Sequence, residues 1–193
     1  MAEYLPFIGF VFFGLFSPGP NVILLTTSGA RFGFKRTIPH ILGVAFGVGI
    51  TSGLTGLGVG TLLNAQPVLT MVLKIGASMW ILWMAYQLWR ANPTQTEGRE
   101  RPFTFIEAVL FQWINPKVWA VALSATAYVA TLSPIDQALV MATAFSGINL
   151  GVCLFWTGAG TILSYLLTNR AAWCVFMRVM AVALCVFSVL VFL

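Results

Sequence analysis

The chain has 193 residues, of which 59% are hydrophobic and only 8% are charged. A soluble globular domain carries about 25% charged residues, so this composition excludes a solvated surface of the ordinary kind. The formal net charge of +5 comes from Lys and Arg residues at the ends of apolar runs. A basic patch with interleaved aromatic residues would indicate nucleic-acid binding, and this pattern argues against it. We therefore interpret the chain as an integral membrane protein that resides in the lipid bilayer.

Six apolar segments are long enough to cross a bilayer, for which a helix needs about 20 residues. The residues before Leu5 lack the basic region of a cleavable signal peptide, so we expect the first segment to stay in the mature protein. The fifth segment is long for one span, and we expect it to tilt, to bend or to end near Tyr165. The sequence thus predicts an all-α integral membrane protein with helices over residues 4–27, 39–63, 67–90, 104–131, 137–167 and 173–193.

Basic residues are concentrated in the odd-numbered connections between these segments. The second connection has none, and the fourth offers only Asp136 as a charged residue. The positive-inside rule therefore places the odd-numbered connections in the cytoplasm and both termini outside, in the periplasm. The basic residues that set this orientation are Arg31, Lys35, Arg36, Arg90, Arg99, Arg101 and Arg170.

A polar, proline-bounded segment near the middle of the chain divides the protein into two halves of three helices. We assign residues 1–91 to the first half, 92–103 to a cytoplasmic linker and 104–193 to the second half. Because three is odd, a second three-helix unit enters the membrane from the opposite side. An inverted 3+3 repeat is the expected outcome.

A weak internal similarity supports this repeat. A shift of 100 residues aligns "GLTGLGVGTLL" at 53–63 with "CLFWTGAGTIL" at 153–163, with five identical positions. Gly47 and Gly147 also coincide under the same shift. Such matches arise easily by chance in a glycine-rich apolar chain, so the repeat needs further support from the helix breakers.

Helix breakers stand at a similar depth in the first helix of each half. "FSPGPN" at 16–21 interrupts the first predicted helix, and Pro116 in "QWINPKVW" interrupts the fourth. A simple kink is the alternative for Pro116 taken alone. Broken helices at corresponding positions of two halves indicate the midplane binding site of a transporter. The N–H groups of a half-helix suit a carboxylate and the freed carbonyls suit an ammonium, and an amino acid carries both.

Two lysines lie inside apolar segments, where a charge is costly. Lys117 lies about 20 Å into the fourth segment at about 1.5 Å per residue, which is near the midplane. An intramembrane lysine is a candidate functional residue, so Lys117 is expected to pair with a substrate carboxylate or to carry a coupling charge. Lys74 either reaches the outer interface with its ammonium or contributes to the pocket.

Four amide side chains accompany the breaks. Asn21 and Asn115 could cap the broken backbone or bind a ligand. Gln112 and Asn149 are better explained by hydrogen bonds between helices. The candidate substrate-binding residues are Ser17, Pro18, Gly19, Pro20, Asn21, Lys74, Gln112, Asn115, Pro116, Lys117 and Asn149.

The remaining reactive residues do not form a catalytic or metal-binding pattern. Cys153, Cys174 and Cys185 lack a CxxC spacing and a histidine partner, so we interpret them as buried small hydrophobic residues. His40 is the single histidine, and the acidic residues do not cluster. We therefore expect no metal, no cofactor and no enzymatic activity. An intramembrane enzyme, a scaffold or channel subunit and an inorganic-ion carrier remain as alternatives, and the last is the most serious.

The second predicted helix contains seven glycines, including the pairs Gly43/Gly47 and Gly49/Gly53 at GxxxG spacing. Small residues at this spacing let helix backbones approach closely, which explains them fully. An exposed glycine-rich face could also support a homodimer.

Taken together, "SPGPN", "GARFGFKR", the glycine-rich second helix and "INPK" resemble the LysE/RhtB family of amino-acid exporters. The resemblance covers the whole chain. It implies a bacterial inner-membrane carrier that expels amino acids or close derivatives, driven by the proton gradient or the membrane potential. The family's two motifs fall on 17–21 and 115–117.

One position departs from the family. Many members carry an acidic residue just after the second glycine of the GxxxG pair in the second helix, where this chain has Val48. This departure weakens proton coupling, or selection of a cationic substrate, through that carboxylate. The resemblance therefore implies a neutral amino acid in preference to a basic one.

Overall fold

A computed structural model of the chain describes residues 5–17, 19–58, 67–90, 101–166 and 169–190. Over these residues all regular structure is helical, which confirms the predicted all-α class. A short 3-10 helix, Thr126–Tyr128, follows the sixth α-helix. The α-helices in chain order are α1 Leu5–Phe16, α2 Pro20–Phe32, α3 Phe34–Gly56, α4 Pro67–Trp89, α5 Phe105–Ile114, α6 Pro116–Ala125, α7 Pro134–Leu166 and α8 Arg170–Leu190.

The third, fifth and sixth predicted segments correspond closely to α4, α7 and α8. The second does not. Its helix includes Pro39, begins at Phe34 and ends at Gly56, so the prediction of helix through residue 63 is wrong at Leu57 and Gly58. Gly58 has a φ of 92°, a conformation that a right-handed helix cannot contain. Residues 59–63 lie outside the described part of the chain.

Gly33 separates α2 from α3. Its φ of 79° is in the left-handed region, and its N–H donates to the carbonyl oxygen of Gly29 at 3.0 Å. A glycine takes this conformation without the steric cost that a Cβ would bring. The chain therefore turns within a single residue, and α2 extends to Phe32, beyond the predicted end at residue 27.

Helix α3 lies between α5 and α7 and contacts both through glycines. The first GxxxG pair, Gly43 and Gly47, faces α5, where a Cβ added at Gly43 would lie 2.4 Å from the carbonyl oxygen of Phe105. The second pair, Gly49 and Gly53, faces α7, where an added Cβ would lie 3.0 and 3.1 Å from side-chain carbons of that helix. Close packing therefore explains these glycines, as predicted. These four glycines are buried within the chain and do not form an exposed face.

Helices α2 and α7 meet at a second close contact, which we name the α2–α7 seam and define by Thr26, Gly29, Thr157, Gly160 and Thr161. A Cβ added at Gly29 would lie 2.2 Å from the carbonyl oxygen of Thr157, and one added at Gly160 would lie 2.0 Å from that of Thr26. The hydroxyl of Thr161 donates to the carbonyl oxygen of Gly29 at 3.2 Å. The two backbones touch, so a larger residue at either glycine requires the helices to separate.

Helix α4 packs mainly against α8. The buried hydroxyl of Ser78 donates to the carbonyl oxygen of Ser188 at 2.9 Å and joins the two helices. Their outer faces expose large apolar side chains, among them Val68 and Val189, which are 78% and 64% exposed. Such a surface suits contact with lipid and would be unusual in water.

By length and hydropathy, two helices in the described part of the chain could cross a membrane alone: Phe34–Gly56 and Pro134–Ser164. Helices α1 and α2 pass the same test together, and the chain bends by 57° at the break between them. These apolar helices agree with an integral membrane protein.

Candidate functional site

The chain is interrupted between α1 and α2. Helix α1 ends at Phe16, and α2 begins at Pro20 with Gly19 in an extended conformation at φ −178° and ψ 178°. The hydroxyl of Ser17 donates to the carbonyl oxygen of Gly14 at 2.9 Å and closes the last turn of α1. A proline at the first helical position suits a helix start because it has no N–H to leave unsatisfied. Pro18, a predicted site residue, lies outside the described residues.

A second interruption separates α5 from α6 and consists of one residue, Asn115. Its φ of −85° and ψ of 101° place it outside the helical region, and Pro116 starts α6. The Asn115 side chain makes no capping hydrogen bond to the start of α6. Of the two roles predicted for this amide, capping is therefore excluded, and its side chain remains available for another partner.

Lys117 joins the two interruptions. Its ammonium donates to the backbone carbonyl oxygen of Ser17, which directly follows α1. Its stem lies over Gly19, where an added Cβ would stand 2.7 Å from the lysine Cδ. The extended backbone of Gly19 is open to any residue, so a larger residue there is limited only by Lys117, whose flexible side chain would have to move.

Asn21 and Gln112 form a second link between the interruptions. The Asn21 amide donates to Gln112 Oε1 at 2.8 Å, and Gln112 Nε2 donates back to Asn21 Oδ1 at 3.3 Å. Gln112 also donates to the carbonyl oxygen of Ala108 at 2.8 Å and is fully buried. The predicted hydrogen bond between helices is thus confirmed for Gln112. This amide pair is a structural clasp, because each amide already has the other as partner.

A small cavity of about 20 Å³ lies beside these links. A water molecule needs roughly 10–15 Å³ of such space, so the cavity in this conformation is far too small for an amino acid. Its lining combines polar groups from both interruptions with apolar side chains. The lining residues are Leu15, Gly19, Asn21, Val22, Leu25, Asn115, Lys117, Val118, Asn149, Val152 and Cys153.

Two amide atoms in this lining have no hydrogen-bond partner among the described residues: Asn115 Oδ1 and Asn149 Nδ2. The two side chains are only 1% and 2% exposed. A buried polar atom without a partner costs about 1–3 kcal/mol, so its presence calls for an explanation. The hydrogen bond between helices that was expected of Asn149 is not made by its Nδ2. One acceptor and one donor are thus available beside an ammonium.

The structure brings most of the predicted site residues together. Gly19, Asn21, Asn115, Lys117 and Asn149 line the cavity. Pro20 and Pro116 start the adjoining helices, and Ser17 and Gln112 bond to lining residues. Lys74 lies on α4, which packs mainly against α8; its side chain lies outside the described residues.

Sequence reasoning missed the apolar part of the lining. Val152 and Cys153 follow Asn149 by three and four residues on α7, and this spacing places them on one face of a helix. The spacing was available in the sequence, but only the contact with the interruptions identifies that face. Leu15 and Val118 approach from α1 and α6.

A larger cavity of about 50 Å³ lies elsewhere, beside His40 and Phe103, whose ring centroids are 5.0 Å apart. Arg101 borders it, but its guanidinium binds both carboxylate oxygens of Glu107 at 2.7 and 3.1 Å. This hydrogen bond raises the pKa of Arg101 above its usual value. Glu107 in turn completes the capping box of α5 with Thr104. These groups stabilise the start of α5, so the cavity at the interruptions is the better candidate site.

An apolar, all-helical chain with a polar cavity at two helix interruptions is typical of a membrane carrier. The comparisons with known proteins agree. Residues 12–193 match the family described as LysE type translocator, and the chain belongs to that family. The recognition made from the sequence motifs is confirmed. No solved structure matches the chain.

Curated relatives carry the names of efflux proteins. The chain is similar to the homoserine/homoserine lactone efflux protein of Salmonella typhimurium, at 31% identity over 52% of each chain. It is 25% identical to the threonine efflux protein of Escherichia coli, over 53% of this chain and 54% of that protein. It is 26% identical to the cysteine/O-acetylserine efflux protein of Klebsiella pneumoniae, over 58% and 57%. The matched region spans about half the length of these curated relatives. Their names are those of transporters and not of enzymes.

Proposed function

We propose that this protein is a secondary active transporter that exports amino acids with neutral side chains from the cytoplasm across the bacterial inner membrane. The observation that carries the proposal is the cavity at the two helix interruptions. There Lys117, Asn115 and Asn149 line the same cavity, and the two amides carry atoms without partners among the described residues. These groups have the chemistry that the two charged ends of an amino acid require.

The carboxylate of the substrate binds the ammonium of Lys117 and the amide N–H of Asn149. The start of α6 adds backbone N–H groups and a positive dipole end to this position. The ammonium of the substrate binds Asn115 Oδ1 and the carbonyl oxygen of Ser17, to which Lys117 donates when no substrate is bound. On binding, the hydrogen bond from Lys117 to the carbonyl oxygen of Ser17 is thus replaced by charge-assisted hydrogen bonds to the two charged groups of the substrate.

Neutral side chains are favoured because the cavity offers no charge of opposite sign for a basic one. In the part of the chain that the structure describes, its lining contains no carboxylate. Val48, where many family members carry an acidic residue, is fully buried. The relatives named for homoserine, threonine and cysteine export support the same preference.

We propose that α1 with α2, and α5 with α6, each form one broken span within a six-span inverted repeat. Reciprocal packing supports this arrangement. The second helices of the two halves, α3 and α7, pack together, and so do the third helices, α4 and α8. The broken first span of each half packs against the second helix of the other half. The contact is made mainly by α2 on α7 and by α5 on α3. We propose that both termini lie in the periplasm, because the basic connections then lie in the cytoplasm as the positive-inside rule expects. Export then requires the two halves to rock and enlarge the cavity toward each side in turn.

The proposal is tested by efflux from cells that express the protein and are loaded with dipeptides that release single amino acids. We expect faster loss of neutral amino acids than from cells without the protein. Lys117→Ala should reduce this export at least about 30-fold, since removal of one partner of a desolvated charge pair costs 2 kcal/mol or more.

Lys35→Ala is the matched control, because it removes an exposed lysine and should leave export nearly unchanged. The amount of each variant in the membrane fraction is measured in parallel. If the wild-type protein is inserted but no amino acid leaves faster, amino-acid export is wrong. If Lys117→Ala exports normally, export stands and this site is wrong.

A further inference from the structure

One face of α7 carries both a polar and an apolar part of the candidate site. Asn149, Val152 and Cys153 occupy consecutive positions of that face and line the same cavity. The thiol of Cys153 is free, and the residue is only 1% exposed. Cys174 and Cys185 are half-buried and exposed, and neither lines this cavity. Cys153 is therefore distinguished from the other two cysteines by its position beside an unpartnered amide.

Among the residues that the structure describes, the apolar side chains of the lining are branched except at Cys153. Leu15 and Leu25 reach the cavity from α1 and α2, and Val118 reaches it from α6. The protein interior is packed densely, so the size of each lining side chain limits the space left for a ligand. At Cys153 the wall carries one unbranched side chain that ends in a single sulfur. This position leaves more room than a valine or leucine would.

An amino acid held at its charged ends by Lys117, Asn115 and Asn149 must direct its side chain toward the apolar lining. The unpartnered amide of Asn149 lies one helical turn from Cys153 on the same face of α7. The Cβ of the substrate and everything beyond it then contact this face.

We infer that Cys153 determines the largest side chain that the transporter accepts. The inference rests on the proposed function. Lys117, Asn115 and Asn149 bind the charged ends of the substrate, and Cys153 limits the size of its side chain. The thiol acts through its volume and its apolar character, without covalent chemistry.

The test compares export of alanine, valine and leucine by Cys153 variants. Cys153→Ala enlarges the cavity and should raise the ratio of leucine to alanine export by about tenfold, the effect of about one methylene in an apolar pocket. Cys153→Val should lower the same ratio. Cys153→Ser replaces sulfur by a smaller but polar oxygen, so it should raise the ratio of leucine to alanine export less than Cys153→Ala does. Cys174→Ala, a change away from the cavity, is the matched control and should leave the ratio at the wild-type value.

A parallel change in all three export rates would assign Cys153 a purely structural role and overturn the inference, while amino-acid export itself would stand. If the wild-type protein exports no neutral amino acid, the proposed function fails and the inference fails with it. If it exports smaller neutral amino acids but not leucine, and Cys153→Ala still does not export leucine, the inference alone fails. The two failures are therefore distinguishable.

Thiol labelling provides a test that does not depend on altered packing at Cys153. In a Cys174→Ser/Cys185→Ser background, N-ethylmaleimide should react with Cys153 during transport and block export. An excess of an exported amino acid should slow this reaction. Failure to label Cys153, or labelling at the same rate with and without the amino acid, would remove it from the substrate path.

Discussion

The α2–α7 seam and the cavity at the interruptions both involve α2 and α7 but are built in opposite ways. At the seam, Gly29 and Gly160 bring backbone against backbone. At the cavity, packing is incomplete, and the amides of Asn115 and Asn149 retain atoms without partners. Proteins concentrate stability in densely packed contacts and leave binding sites less satisfied. The difference predicts that changes at the seam reduce stability, whereas changes at the cavity reduce export.

The largest effect on stability is expected for Gly160→Ala. The added Cβ would lie 2.0 Å from the carbonyl oxygen of Thr26, and since that oxygen belongs to a helix backbone, the helices must separate. Overpacking of this kind costs about 1–3 kcal/mol, occasionally more. Thermal unfolding of the purified protein in detergent measures it.

Gly151→Ala is the matched control on the same helix. Nothing lies within 4 Å of a Cβ added there, so its unfolding temperature should equal or slightly exceed that of the wild type. Equal unfolding temperatures for Gly160→Ala and Gly151→Ala would contradict the close contact at the seam.

A smaller effect on stability is expected from the amide clasp between Asn21 and Gln112. Asn21→Leu removes one partner of the buried Gln112, whose Nε2 keeps its hydrogen bond to the carbonyl oxygen of Ala108. The cost should therefore lie near the lower end of about 1–3 kcal/mol. In the double variant Asn21→Leu/Gln112→Leu, both amides are removed together, so the two costs should not add. A double-mutant cycle of thermal unfolding tests this. Additive costs would show that the two amides do not stabilise each other.

The smallest effect on stability, with a clear effect on export, is expected for Gly19→Ala. The added Cβ would lie 2.7 Å from Cδ of Lys117, which is part of a flexible side chain and can move away. The protein should unfold at nearly the wild-type temperature, but the displaced ammonium should lower export several-fold. Efflux and thermal unfolding are measured on the same preparation.

Gly9→Ala serves as the control for Gly19→Ala, since a Cβ at Gly9 has nothing within 4 Å. Unchanged export by Gly19→Ala would mean that the position of Lys117 over Gly19 is irrelevant to transport. A large loss of stability would instead remove the contrast between the seam and the cavity.

Several features could be predicted from the sequence because they depend on local chemistry. Pro20 and Pro116 lack an N–H and start new helices at the places where the sequence predicted an interruption. The paired glycines of α3 indicated close packing because no other residue lets two helix backbones approach so closely. The sequence did not predict the end of α3. The turn at Gly58 has a positive φ, and no strong signal in the neighbouring sequence marks that position.

The sequence singled out polar residues that line the cavity, but it gave neither the apolar lining nor the partners of the polar groups. The sequence identified Asn21, Gln112, Asn115 and Asn149 as polar groups in an apolar chain. It could not tell that the first two satisfy each other, or that the last two retain atoms without partners. That distinction depends on distances between residues far apart in the sequence.

By itself, the sequence determined the all-helical class, the family, the helix interruptions and the excess of apolar surface. These follow from composition and from the backbone limits of proline and glycine, which act within a few residues. Only the tertiary structure decided that Lys117 reaches Ser17, that α7 supplies Asn149 and Cys153 to the same cavity, and that the two GxxxG pairs of α3 face different helices. The reason is physical: which side chains meet depends on how the helices pack, and that packing is a property of the whole chain.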